Sequence, residues 1–527
     1  MRILLFGSSY FKPWLERAGV DVVQAGLDQD SDLKVDPEQV DLIDLTARID
    51  PRPDVLLLTD NLGRRVVPWG LERSDLIKVY YGVDGPLNHY WQRHLAGLFD
   101  LVAVDQKDSA AALSTLLDRE VLWLPVAVDP RLYQGPPEEV LFDLAFVGTI
   151  QPQVRPKRSS ILKALSSRHA VKVAGERGQG WLGPQEAARV YRQSKLVLNE
   201  NLFPGVTTRM LEVMAAGGCL FTEDNDNGLR DLFRPGEHFI PFGPTNLLDQ
   251  AERYLKDQIA CQGIALAGHR ECLAKHSIDC RAQQLLAAIE AVDPAQAGVR
   301  PSLSSLAWTF LLLGVRWPKH DGPGRLAKAG VLFNEALGQN PNSGESHLGL
   351  GLVLVAQGRL KEAEAALALA AEANDHDYRA FLARGLLLDQ MGRVQESRQV
   401  LIRAASLADP NQETAPELPQ GRLKPGQAGF HLAWGRLLIQ AGQGLVPGFN
   451  RSWLAMPFWG GLEHLTKALD LEPDNLEALV ALAQVLDQHG QFDFSRPLWQ
   501  KASRLAPAEA RIRQGLDQAR LLSYGAD

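Results

Sequence analysis

The stretch NENLFPGVTTRMLEVMAAGGCLFTEDNDNGLRDLFRPGEHFIPF, residues 199–242, decides the fold. It follows a strand-like run, KLVLN (195–199), which ends at a turn containing Pro204 and Gly205. Thr207, Thr208 and Arg209 then open a helix, and the first N–H groups of a helix have no intrahelical acceptor and can take a phosphate. Glu212 follows one turn later, where a carboxylate can accept hydrogen bonds from two ribose hydroxyls. Gly217 and Gly218 end the helix and lead into the apolar run CLFT (219–222). Strand, turn, helix and strand make one unit suited to gripping a nucleotide.

Working outward, the same alternation recurs on both sides. Between residues 1 and 128 the apolar runs RILLFG, DVVQAG, DVLLLTD, LIKVYYG, LVAVDQ and VLWLPVAV are separated by polar helical stretches. Continuous apolar strands between helices predict a parallel sheet covered on both faces. The proline-rich segment DPRLYQGPPEEV (129–140) reads as a connection, after which LAFVGT, AVKVAG, KLVLN, CLFT and HFIPF repeat the pattern. The expected fold class is therefore α/β, with two Rossmann-like doubly wound domains at 1–128 and 129–292. Ligands in such sheets sit beyond the carboxyl ends of the strands, and the cleft between the domains is the expected place. GSSY (7–10) ends the first strand, where Gly7 would admit close approach and Ser8 could meet sugar hydroxyls. It is not the GxGxxG of a dinucleotide site.

Past the loop DPAQAGVRPS the strands stop and a period of 34 residues emerges. Gly351 and Gly385 are one step apart, as are Gly358 and Gly392, Ala370 and Ala404, and Pro473 and Pro507. Helix pairs meeting at a glycine turn at this period resemble the tetratricopeptide (TPR) repeat, and stacked units of that kind form an all-α solenoid. Five units are expected, near 302–341, 344–375, 378–411, 428–473 and 476–507, with a capping helix after them, so that the solenoid occupies 302–524. An insertion, GQGLVPGFNRSWLAMPFWGG (442–461), puts Trp453 and Trp459 in a loop. These rings either fold back on the solenoid or form a wall facing an acceptor.

Composition narrows the partners. The chain has 527 residues, 45% hydrophobic and 22% charged, with a net charge of −8, so no overall basic field invites a nucleic acid. Four cysteines without a CxxC pair read as reduced thiols of a cytoplasmic protein. No apolar run reaches membrane-spanning length, and MRILLFGSSYF reads as a first buried strand rather than a signal sequence.

Four segments taken together, FVGTIQPQVRPKRSSIL (146–162), PQEAARVYRQSKLVLNEN (184–201), LFPGVTTRMLEVMAAGGCL (202–220) and LFRPGEHFIPF (232–242), resemble the group 1 glycosyltransferases of the GT-B fold, within them the CgeB-like family. The resemblance implies a nucleotide-sugar co-substrate, UDP-linked, held by the second domain, with no separate cofactor. Glu212 matches the second acid of that superfamily's E-x7-E motif, the one expected on the ribose, whereas the first acid falls at Pro204. A departing diphosphate needs cations and N–H donors, for which Gly148, Thr149, Arg155, Lys157, Arg158 and Arg209 are the candidates beside Thr207 and Thr208. The run from Arg155 to Arg158 also reads as a solvated charge cluster, which makes Arg209 the preferred cation. On the acceptor side, Asp84 at the end of LIKVYYG is the first choice of base and His89 the second. Their alternatives are a turn or cap residue and a ring packed against Tyr90 and Trp91. Asp105 and Lys107 end the next strand. Asp224 and Asp226 read as a loop turn, and no metal is expected. A solenoid fused to a transferase implies a protein acceptor bound by the repeats, with Ser or Thr of flagellin the first to test. A glycan or lipid-linked acceptor and a non-catalytic scaffold stay open.

Overall fold

The computed structural model describes residues 1–26, 31–35, 40–60, 67–152, 155–175, 182–293, 302–317, 321–408, 428–440, 461–488 and 490–524. Seven strands form the first sheet: β1 (Arg2–Gly7), β2 (Asp21–Gly26), β3 (Leu33–Lys34), β4 (Val55–Thr59), β5 (Ile77–Gly82), β6 (Leu101–Val104) and β7 (Leu122–Trp123), in the order β3-β2-β1-β4-β5-β6-β7. Five more form the second: β8 (Phe142–Val147), β9 (Val171–Ala174), β10 (Ser194–Asn199), β11 (Leu220–Glu223) and β12 (Ile240–Phe242), in the order β12-β11-β10-β8-β9. The pairings of β1 with β2 and β4, and of β10 with β8 and β11, are parallel, with Val197 opposite both Ala145 and Leu220.

The strands are parallel because their side chains are apolar on both faces. Ile3 to Phe6 and Val55 to Leu58 are buried without alternation, as helices on either side of the sheet require. The expected α/β class holds for both sheets. Two details differ from the sequence reading. VLWLPVAV contributes only Leu122 and Trp123 to its sheet, because Pro125 cannot donate to a ladder. The two-residue β3 was not anticipated, since a single Leu-Lys pair carries no periodic signal.

Past residue 302 the elements among the described residues are all helices: Leu303–Arg316, Gly322–Gln339, Gly344–Ala356, Leu360–Ala373, Tyr378–Gln390, Val394–Ala408, Ala428–Gln440, Gly461–Leu471, Leu476–Gln488, Phe492–Leu505 and Ala510–Leu522. The repeating glycines have a packing reason. A Cβ on Gly351 would stand 2.6 Å from Leu367, and one on Gly385 would stand 2.6 Å from Leu401, so each glycine lets the paired helix approach at the same step of the repeat. Trp453 and Trp459 lie outside the described residues.

The chain divides into two compact units, one of residues 1–102, 116–119 and 292–485, the other of residues 103–115, 120–291 and 486–527. Within the first, the helix Gly85–Ala96 packs on Leu303–Arg316, where the His94 ring stacks on Trp308 at 5.5 Å and Trp308 meets Phe333 edge-on at 5.8 Å. Within the second, Tyr524 joins the core of Phe221, Ile240, Phe242 and Leu247. Among the described residues no helix is long and apolar enough to cross a membrane.

Candidate functional site

In the second unit the expected donor residues gather at the carboxyl ends of β8 and β10 and at the start of the helix Thr208–Ala215. Gly148 follows β8 with φ +148°, and a Cβ there would come 2.9 Å from the Arg209 guanidinium. Arg158 donates to the Thr149 carbonyl at 2.8 Å. Phe146 bridges the two arginines, its ring 4.9 Å from the Arg158 guanidinium and 4.8 Å from that of Arg209. Gly148, Thr149, Arg158 and Arg209 therefore share one small region.

The turn ahead of the helix is held rigidly. Gly205 sits where a Cβ would meet Gln106 at 2.1 Å. The carbonyls of Pro204, Gly205 and Val206 accept, respectively, from Asn227 (2.8 Å), Asn225 (3.3 Å) and Gln106 (3.1 Å). Thr207 is the N-cap residue, but its hydroxyl donates to Asn199 Oδ1 at 3.2 Å rather than accepting from the helix. Thr208 is exposed at the first helical position. The half-buried Glu212 accepts from the Tyr191 hydroxyl at 3.3 Å and is also hydrogen-bonded by Tyr133. Burial, then the Glu212 carboxylate, raises the pKa of both phenols, so they remain donors to it.

Charge is distributed unevenly over the cations. Arg158 Nε is 2.8 Å from Glu200 Oε2, and an Arg155 guanidinium nitrogen is 3.6 Å from the same oxygen. Lys157 Nζ is 3.0 Å from Glu223. Arg209 has no ion pair among the described residues; it makes a 3.4 Å hydrogen bond to Asn199 Oδ1 and also meets the Tyr191 hydroxyl. Burial pushes its pKa down and the neighbouring Arg158 adds to this, while Tyr191, Glu212 and Glu200 oppose it. A half-buried guanidinium with no carboxylate of its own is suited to an anionic ligand.

Sequence reading missed the polar triplet Asn199, Glu200 and Asn201, all buried at the end of β10. Glu200 Oε1 accepts no hydrogen bond among the described residues. A polar run at the carboxyl end of an apolar strand was a signal for them, because that edge is where ligands bind. Phe146, Tyr191 and Glu223 were missed as well, the first two because buried rings in apolar or helical runs read as ordinary core.

In the first unit the expected acceptor-side residues share the carboxyl edge of β1, β4 and β5. Gly7 has φ +101°, and a Cβ would strike the Thr59 carbonyl at 2.2 Å. The Thr59 hydroxyl donates to the Ser8 carbonyl at 2.8 Å, and Ser8 Oγ accepts from the Tyr10 amide. Asp84 precedes the helix Gly85–Ala96 in a left-handed conformation, φ 52°, without a side-chain capping bond. A non-glycine residue held there costs free energy that surrounding structure must supply. Asp60, which sequence reading passed over, organises this edge by accepting from Tyr80 (3.0 Å), the Val83 amide (3.3 Å) and Gln92 (2.8 Å). His89 lies half-buried on the same helix. Asp105, at the end of the next strand, accepts from Gln106 at 3.1 Å, and Lys107 pairs with Asp231 at 2.7 Å within the second unit.

Asp224 and Asp226 are both ion-paired to Arg230, at 2.6 and 2.8 Å, as loop residues. Among the described residues no group of three His, Cys, Asp or Glu side chains is placed to hold a metal ion.

No curated protein matches the chain. Similar solved structures include sucrose-phosphate synthase from Thermosynechococcus elongatus, 13% identical over 55% of this chain and 98% of that one, with a TM-score of 0.41. A glycosyltransferase from Rickettsia africae is 10% identical over 55% and 98%, with a TM-score of 0.40. Anabaena HepE in complex with UDP-glucose is 12% identical over 55% and 100%, also at 0.40. Residues 322–385 match a tetratricopeptide repeat. Residues 155–287, which carry Arg155, Arg158, Arg209 and Glu212, match the glycosyl transferase-like family, a coarser assignment than the CgeB-like resemblance, and the chain thus joins a glycosyl transferase-like segment to tetratricopeptide repeats.

Proposed function

We propose that this chain transfers a sugar from a nucleotide-sugar donor, UDP-linked, to a hydroxyl acceptor, and that it needs no separate cofactor. The observation that carries this reading is Arg209. It stands over Phe146 beside Gly148, it has no ion pair among the described residues, and it opens a helix whose N-cap hydroxyl is turned away from the helix's own N–H groups. Arg209 and those N–H groups would take the diphosphate, where charge builds as the sugar leaves. Glu212, oriented by Tyr191, would accept from the ribose hydroxyls. Asp84 would act as the base on the acceptor hydroxyl, with His89 as the second candidate, and Gly7, Ser8, Trp453 and Trp459 as acceptor contacts.

The acceptor in this reading is Ser or Thr of a cytoplasmic protein, flagellin first, selected by the repeats at 302–524. Support comes from the tetratricopeptide match, since solenoids of that kind bind peptides along an extended surface. The division into 1–128, 129–292 and 302–524 belongs to the same proposal.

Isothermal calorimetry of the purified chain against UDP-, GDP-, CMP- and TDP-sugars tests the donor assignment. One donor should bind to wild type and lose at least tenfold in affinity to Glu212→Ala; equal affinity in the two proteins removes the nucleotide assignment. For the acceptor, intact-mass analysis of flagellin incubated with that donor should show the mass of the added sugar. Donor turnover on a free glycan with none on flagellin would transfer the acceptor to the glycan class.

A further inference from the structure

Tyr524, on the C-terminal side of the helix Ala510–Leu522, reaches the candidate donor site. Tyr524 is 8% exposed, and its hydroxyl donates to Glu223 Oε1 at 3.2 Å, across 301 positions of sequence. Its ring packs edge-on against Phe242 at 6.0 Å, and its amide donates to Asp493 Oδ1 at 3.2 Å, so both ends of the residue are fixed. Glu223, at the end of β11, uses its other oxygen to accept from the Asn201 amide at 3.1 Å and to pair with Lys157 at 3.0 Å. Asn201 Oδ1 in turn accepts from Asn199 at 2.8 Å. Asn199 Oδ1 accepts from Thr207 and Arg209. A continuous set of hydrogen bonds therefore runs from Tyr524 to the guanidinium and the helix start assigned to the diphosphate.

We propose that Tyr524 is a positioning residue for donor binding, acting through Glu223 and the Asn199–Asn201 turn to hold Arg209 and Thr207 in place. The inference rests on the nucleotide-sugar reading of the same site. Its physical basis is the cost of an unsatisfied carboxylate oxygen. Without the Tyr524 hydroxyl, Glu223 Oε1 loses that donor, and the carboxylate would gain by turning toward whatever donors it can reach. Turning releases the Asn201 amide or Lys157, and the turn that orients Asn199 loosens. Burial and the Glu223 carboxylate raise the Tyr524 pKa, so the phenol stays a donor throughout the working pH range. The effect expected is on ligand geometry rather than on folding, since the ring supplies most of the buried area and the hydroxyl only the tie.

The test is Tyr524→Phe in the full chain, with UDP binding by calorimetry, thermal denaturation without ligand, and donor and acceptor KM. The ring stays, so the melting temperature should hold within a few degrees, whereas UDP affinity should fall about five- to tenfold, the scale of one ordinary hydrogen bond. Donor KM should rise by the same factor with acceptor KM unchanged. Glu223→Gln should weaken UDP binding comparably, and the double variant should be no worse than Glu223→Gln alone, because one chain of contacts is cut twice. Wild-type binding of UDP with an unaltered Kd in Tyr524→Phe overturns the inference, as does additivity of the two substitutions. A large loss of melting temperature with no selective change in donor KM overturns it too, by making Tyr524 structural only. Failure of wild type to bind any nucleotide sinks the parent reading instead, and the two failures are told apart by that control.

Discussion

Replacing Arg209 by glutamine should weaken nucleotide binding strongly while leaving the empty protein about as stable as wild type. Glutamine keeps a polar reach and removes the charge. In the empty protein the guanidinium gains a contact with the Phe146 face at 4.8 Å and a long hydrogen bond, 3.4 Å, to Asn199. Together these are worth about 1–2 kcal/mol. Against them stand desolvation and the repulsion of Arg158, the two effects that lower the Arg209 pKa. The balance is within about 1 kcal/mol, or roughly 2–4 °C in melting temperature for a unit of this size. With a diphosphate bound, the same group would contribute a charge-assisted hydrogen bond of about 1.5–3 kcal/mol, so the glutamine variant should bind UDP about 10- to 150-fold more weakly. Calorimetry with UDP and thermal denaturation without it measure the two quantities separately. A Kd within twofold of wild type would refute the assignment of Arg209 to phosphate. A fall in melting temperature well beyond 4 °C would show that the cation is structural after all.

Gly351→Ala places a methyl 2.6 Å from Leu367, so urea unfolding should show a loss of about 1–3 kcal/mol, and Gly385→Ala, whose Cβ meets Leu401 at the same distance, should lose a similar amount. A midpoint equal to or above wild type would mean that the helix pairs slide apart freely. Asp84→Asn should leave donor affinity within twofold and slow transfer about 10²-fold or more, as loss of a general base does; unchanged turnover removes Asp84 from the chemistry. Asp493 is buried, and its carboxyl is pushed up from the ordinary 3.8 to about 6. The folded state thus favours the protonated acid, a contribution fully present below about pH 4 and lost as pH rises through about 6. Asp493→Asn should therefore match wild type near pH 4 and exceed it at pH 7.5, by at most about 3 kcal/mol. A difference in melting temperature that is the same at both pH values would contradict that titration.

Much of the fold was legible because it is written in local periodicity. The runs at β1, β4, β5 and β8 are mostly apolar and are buried in consecutive residues without alternation, as a sheet covered on both faces requires. The helical repeat was legible because glycines recur where paired helices need close approach. Of the site, the residues on the helix Thr208–Ala215 and the turn before it could be placed from spacing alone. What could not be read was pairing over distance. Glu200 meets Arg158 across 42 positions, Tyr524 meets Glu223 across 301, and Tyr191 meets Glu212 across 21. No local pattern encodes which carboxylate a given arginine will find, so the sequence showed a cluster of cations without showing which were already neutralised.

That distinction changes the chemistry assigned to the turn at 155–158. As a sequence it is either a solvated charge run or a grip for phosphate, and in the structure Arg158 and Lys157 within it are ion-paired to Glu200 and Glu223. Arg158 is nearly inaccessible and committed to Glu200 and the Thr149 carbonyl. Lys157 is held by Glu223. A buried ion pair is costly to break, because removing one partner leaves the other charge desolvated, by about 3–5 kcal/mol. Diphosphate binding would thus gain little from pulling Arg158 away from Glu200, and Arg158 packs over Phe146, whose ring also meets Arg209. It follows that Arg158→Ala and Arg209→Gln should fail differently. The first should lower stability and donor affinity together, whereas the second should lower affinity alone.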